Sequence, residues 1–105
     1  MYVTIDEFGR FDVHEGKHGG IKGLQEWVGG YVEHLDGPHG LDVWIDEEGK
    51  LKDKRINWKV TEWMEGRLMP GDVIVGKVVI TAMNEKRLAQ FRAEFGPVRI
   101  IKVAL

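Results

Sequence analysis

The chain reads as an α+β domain: a mostly antiparallel sheet with three short helices over one face or end. Two features of the pattern predict this class. Short stretches such as Leu41-Asp42-Val43-Trp44-Ile45 alternate apolar and polar residues, the period of a half-buried strand. Three other stretches repeat their apolar residues at helical spacing. A third observation, the Gly- and Pro-bearing turns between these stretches, keeps every element short.

Met1 to Ile5 alternates and carries β-branched residues, so it predicts a strand. Phe8-Gly9-Arg10 is a turn, and Phe11 to His14 is the hairpin partner of the first strand. Gly16, Gly19 and Gly20 interrupt regular structure. Ile21, Leu24, Trp27 and Val28 then fall on one helical face, and Gly29-Gly30 closes that helix. Tyr31 to Leu35 predicts a strand, residues 36–40 a turn, and Leu41 to Ile45 another strand. Asp46 to Gly49 is a second turn, with Lys50-Leu51-Lys52 beginning a short return strand. Ile56, Val60, Trp63 and Met64 predict a second helix, capped by Asn57 and ended by Gly66. After the turn at Pro70-Gly71-Asp72, strands are expected at Val73 to Val75 and at Lys77 to Ala82. Asn84 caps a third helix lined by Leu88, Phe91 and Phe95, and Val98 to Leu105 predicts a final strand. Trp27, Trp63, Phe91 and Phe95 are the expected aromatic core.

A length of 105 residues sets a single domain spanning 1–105. The apolar fraction of 43% and charged fraction of 30% are those of a soluble globular chain, not a disordered one. No Cys occurs, which excludes disulfides and thiolate metal sites and fits a reducing cytoplasm. The first residues carry acids and no apolar run, so no signal peptide is expected. The longest apolar stretch, Val73 to Met83, is broken by Gly76 and Lys77, so no membrane span is expected. Charge is unevenly spread. Residues 1–48 hold eleven Asp/Glu against three Lys/Arg, and residues 49–105 hold six against twelve. Packed together, these halves would largely cancel. Segregated onto two faces, they would steer a charged partner or favour head-to-tail self-association.

His14-Glu15-x-x-His18 spells the zinc-binding pattern of many metalloproteases. That chemistry needs a helix, where His residues four apart project from one face and Glu activates the metal-bound water. Gly16 lies inside the pattern, Gly19-Gly20 follow it, and the preceding segment alternates like a strand. The pattern therefore predicts an irregular bend with two solvated His, and no zinc site. His34 and His39 complete the histidine set, all of it in the acidic half. With no Ser in the chain, a Ser nucleophile is excluded, and no phosphate-binding Gly-rich loop is present.

Two charged stretches remain. Asp46-Glu47-Glu48-Gly49-Lys50 is a concentrated acidic turn, either a solvated hairpin tip or a recognition loop for a basic partner. Lys50 to Arg55, with Trp58 and Lys59 beyond, is the main basic cluster. Basic residues beside an aromatic can hold phosphates and stack a base. The net charge of −2 and the lack of a recognition motif argue against a dedicated nucleic-acid binder.

Leu24-Gln25-Glu26-Trp27-Val28-Gly29-Gly30-Tyr31-Val32-Glu33, then Trp44 to Leu51, Asn57, Thr61 and Gly71 to Gly76, together resemble one family. These are small uncharacterised proteins of phages and mobile elements, catalogued as a domain of unknown function. The resemblance covers roughly residues 21 to 80. Asp46 stands where that pattern carries Asn, and the segment between Leu51 and Asn57 is more basic than expected. The resemblance implies a phage or mobile-element origin and the bacterial cytoplasm.

The resulting expectation is a non-catalytic accessory protein that binds a host or phage macromolecule through Glu47, Glu48, Lys50, Lys52, Lys54 and Arg55. The alternative is a small-ligand binder, of nucleotide type, with Tyr31, Glu33, Asn57 and Thr61 in its pocket. No cofactor is implied.

Overall fold

The computed structural model describes residues 1–96. Their elements are β1 (Tyr2–Ile5), β2 (Phe11–His14), α1 (Gly20–Val28), β3 (Val32–Asp36), β4 (Asp42–Asp46), α2 (Trp58–Trp63), β5 (Val78–Thr81) and α3 (Glu85–Phe95). A short 3-10 turn at Pro38–Gly40 joins β3 to β4. The strands form one sheet of order β2-β1-β5-β4-β3, antiparallel at every pairing. The α+β class with an antiparallel sheet and three helices is therefore what the chain adopts. The final strand expected at Val98 to Leu105 lies outside the described residues.

The helices lie on both faces of the sheet, not on one. Val3, Ile5, Val43, Val78 and Ile80 project to one side and pack with Val60 of α2, with Met64 that caps its C-terminus, and with Phe91 and Phe95 of α3. Phe11 and Trp63 meet Phe91 edge-on at 5.1 and 5.3 Å, the favoured geometry for aromatic quadrupoles. Val79 points the other way, into a smaller core with Leu24 and Val28 of α1. Trp44 and Trp27 flank that second core. The unbroken apolar run Val78-Val79-Ile80 follows from this, because the central strand is buried on both faces. Ile21, expected on the inner stripe of α1, faces solvent.

Two expected strands do not form. Lys50 to Lys52 lies in consecutive turns, because β4 is already paired with β3 and β5 and offers no free edge. Val73 to Val75 contributes a single bridge, Ile56 to Val75. Its backbone groups are satisfied by the start of α2 instead. The Asn57 amide donates to the Ile74 carbonyl at 2.8 Å, and the Ile74 amide donates to Thr61 Oγ1 at 3.0 Å.

Asn57 is the hub of this joint. It is 0% exposed. Its side-chain oxygen caps α2 by accepting from the Val60 amide at 3.3 Å. Its Nδ2 donates to the carbonyls of Asp6 at 2.9 Å and Gly76 at 3.0 Å, tying the ends of β1 and β5 to the helix. At the start of α1, Gly23 admits the His18 carbonyl, whose oxygen would lie 1.8 Å from a Cβ there.

Asn57→Ala removes a cap and leaves the Gly76 carbonyl unpartnered, a loss of about 2–3 kcal/mol. The melting temperature should fall by roughly 10–20 °C in a thermal denaturation series. Gly23→Ala should also lower it. Helix propensity alone would favour Ala by about 1 kcal/mol, so the sign of the change reads out the clash with the His18 backbone.

Candidate functional site

The residues predicted to meet a partner sit on the segment that leaves β4, and one buried carboxylate organises it. Asp46 is the last residue of β4, on the face that α1 covers. Its side chain is 1% exposed. Oδ2 receives Lys52 Nζ at 2.9 Å and Lys54 Nζ at 2.6 Å, and Oδ1 accepts the Glu48 amide at 2.9 Å. The last contact makes Asp46 its own turn former. The same two ammonium groups reach the end of α1. Lys54 Nζ donates to the Val28 carbonyl at 2.6 Å, and Lys52 Nζ to the Gly29 carbonyl at 3.2 Å. Carbonyls at a helix C-terminus lack intrahelical donors and carry the negative end of the helix dipole, so cations belong there. Gly30 makes room for this arrangement. A Cβ at Gly30 would stand 2.4 Å from Lys52 Nζ and 3.1 Å from both Asp46 carboxylate oxygens.

Burial alone would raise the Asp46 pKa. The hydrogen bonds from Lys54, Lys52 and the Glu48 amide, with the Lys54 charge, outweigh it and hold the group at about 2.

The six predicted partner residues thus divide. Lys52 and Lys54 are fasteners, their ammonium groups spent on Asp46 and on α1, although the Lys52 side chain stays partly in solvent. Glu47, Glu48, Lys50 and Arg55 remain on the surface, with Leu51 between them at 87% exposure. Lys50 pairs with Asp72, whose carboxyl is lowered chiefly by that lysine. Arg55 lies over the exposed Phe8 ring at 4.6 Å. Lys59, counted in the basic cluster, donates to the Gly96 carbonyl at 3.1 Å and covers the Phe95 ring at 4.5 Å. Desolvation lowers its pKa.

The residues predicted for a ligand pocket do not assemble into one. Tyr31 and Glu33 are exposed, beside and on the edge strand β3, and β4 separates that strand from β5. Asn57 is enclosed in the α2 joint, and Thr61 Oγ1 is occupied by the Asn57 carbonyl at 2.8 Å and the Ile74 amide. Their polar atoms hold the fold and are not available to a solute.

The metalloprotease-like stretch is not helical. His14 ends β2, residues 15–19 are irregular, and α1 begins only at Gly20. Both imidazoles nevertheless line one cleft of about 300 Å³, with Tyr2, Thr4, Glu26 and Trp27. Tyr2 stacks on His14 at 4.5 Å and meets His18 edge-on at 6.0 Å. Thr4 Oγ1 and His14 Nε2 share a hydrogen bond at 2.7 Å. The sequence reading missed this grouping because Tyr2 and Thr4 precede the histidines by a whole hairpin. The cross-strand register Tyr2 opposite His14 is the signal that a hairpin reading offered.

A family model described as a domain of unknown function (DUF3846) matches residues 2–93. The chain belongs to that family. No curated protein and no solved structure matches it. The DUF3846 match takes in every element from β1 to β5 and most of α3, so the Asp46 fastening lies wholly within it. Among the described residues of this DUF3846 chain, no helix is long and apolar enough to cross a membrane.

The depressed pKa of Asp46 sets an acid limb of stability. The gain is fully present above the ordinary carboxylate value of 3.8 and is lost as pH falls towards about 2. It amounts to about 2 kcal/mol. In urea titrations across that range, Asp46→Asn should be less stable than the parent at neutral pH and should show a flatter acid limb. Asp6 and Asp72, also lowered but more exposed, leave a shallower residual slope.

Proposed function

We propose that this protein is a non-catalytic accessory protein of phage or mobile-element type, which binds a host or phage protein in the bacterial cytoplasm. The contact surface is the segment from Glu47 to Arg55. One observation carries this reading: an almost fully exposed Leu51 is displayed on a segment that Asp46, Lys52 and Lys54 hold against α1. A surface that is ordered before binding loses less conformational entropy on association. Glu47, Glu48, Lys50 and Arg55, exposed on the same segment, add both signs of charge to the apolar side chain, the composition of an anchor with a polar rim. The origin and the location rest on the resemblance to phage proteins.

A second reading, a small-ligand binder, draws on the cleft between Tyr2, His14 and His18. Its volume is at the lower end of small-molecule sites, and it combines aromatic walls with hydrogen-bonding groups.

Affinity capture from the host, followed by titration of the purified partner, tests the leading reading. Leu51→Asp should weaken the partner by at least about tenfold while leaving the melting temperature unchanged. A partner bound equally by parent and variant, or none recovered at any salt concentration, removes it. Thermal shifts with a nucleotide panel test the second reading. A stabilisation by one nucleotide that His14→Ala abolishes supports it, and flat curves throughout dismiss it.

A further inference from the structure

The hairpin of β3 and β4 places three metal-ligating side chains together on the α1 side of the sheet, where that helix leaves the surface open. The ligating atoms of His34, Asp36 and Asp42 all lie within 4.8 Å of one another. His34 Nε2 is 2.8 Å from Asp42 Oδ1 and 4.0 Å from Asp36 Oδ1. An ion bonded at about 2.1 Å to each ligand spans atoms up to about 4.2 Å apart, so side-chain rotation alone closes the set.

The register forces the grouping. Asp36 is directly opposite Asp42, and His34 is opposite Trp44, one step along the same face. Like charges facing each other across an antiparallel pair are unfavourable. Among the described residues neither aspartate pairs with Lys or Arg, so no fixed cation offsets them. The scaffold beneath is stiff. Trp44 Nε1 donates to Thr81 Oγ1 at 2.8 Å, and the His34 ring rests against the indole at 4.9 Å. The Gly37 amide donates to the Leu41 carbonyl at 2.8 Å and closes the hairpin.

We propose that His34, Asp36 and Asp42 form a binding site for a divalent transition-metal ion of the zinc class. An imidazole nitrogen with two carboxylate oxygens suits such an ion, whereas Mg²⁺ and Ca²⁺ favour all-oxygen shells. Three protein ligands leave at least one position for water or for an oxygen from a second molecule. The site is separate from the metalloprotease-like stretch and owes nothing to its spacing. It also stands apart from the surface around Leu51.

Chelator-stripped protein without a polyhistidine tag is titrated with Zn²⁺ by calorimetry, with Mg²⁺ and Ca²⁺ in parallel. The expected result is one Zn²⁺ per chain, release on acidification because imidazole ligates only as the free base, and no competition from Mg²⁺ or Ca²⁺. His34→Gln and Asp42→Asn should each weaken binding at least about tenfold. His14→Gln should leave it unchanged. The metal-free melting temperatures should match the parent, since both side chains are 40% exposed. If either variant fails to fold, Asp36→Asn, at a side chain 93% exposed, carries the same comparison. Absence of saturable Zn²⁺ binding overturns the proposal. So does binding that survives His34→Gln and disappears with His14→Gln, or equal competition by Ca²⁺.

Discussion

The ordered segment that leaves β4 depends on a carboxylate that solvent hardly reaches. Asp46 closes β4, the C-terminal carbonyls of α1 need donors, and two lysines from the next turns satisfy both. Neither half of the arrangement is stable alone. A buried carboxylate without cations would shed its charge, and two ammonium groups drawn against a helix end need a counter-charge to stay there. Joined, they fix a stretch that has no strand partner and almost no apolar anchor. The unequal charge of the two chain halves is partly consumed in this way, since Asp46 belongs to the acidic half and its lysines to the basic one.

The two-sided sheet explains where chemistry gathers. The face under α2 and α3 is filled by Phe91, Phe95, Val60 and Met64. Among the described residues, the one helix over the opposite face is the nine-residue α1. What that helix leaves open is polar and aromatic: His14 and Tyr2 on one side, and His34, Asp36 and Asp42 on the other. A short helix over a five-stranded sheet thus creates two open margins, and the histidines at 14, 18 and 34 border them.

Much of the scaffold was legible locally. Asn57 and Asn84 were read as caps, and both accept the expected amides, of Val60 and Arg87. Gly29 ends α1 in the left-handed conformation that only glycine takes readily. The strand readings failed at Lys50 to Lys52 and at Val73 to Val75, because strand pairing needs a free neighbouring edge and periodicity says nothing about edges. The site was less legible. Asp46 looked like the start of a solvated turn, although its face was already marked by Trp44 and by the apolar Val79 opposite it. Asn57 reads in sequence as a candidate ligand contact because a polar residue carries no mark of burial there, yet it is fully buried.

The amino-acid sequence by itself determined the periods, the caps, the glycine stops and the antiparallel α+β class. These depend on residues within a turn or two of each other, where sterics and short hydrogen bonds decide. Only the tertiary structure decided that α1 would take the second face, and that Lys52 and Lys54 would end on Asp46 and on the carbonyls of Val28 and Gly29. The contacts to α1 join residues more than twenty apart, whereas Lys52 lies only six residues from Asp46. Which charge meets which is set by how the sheet and helix pack, and no local pattern encodes it.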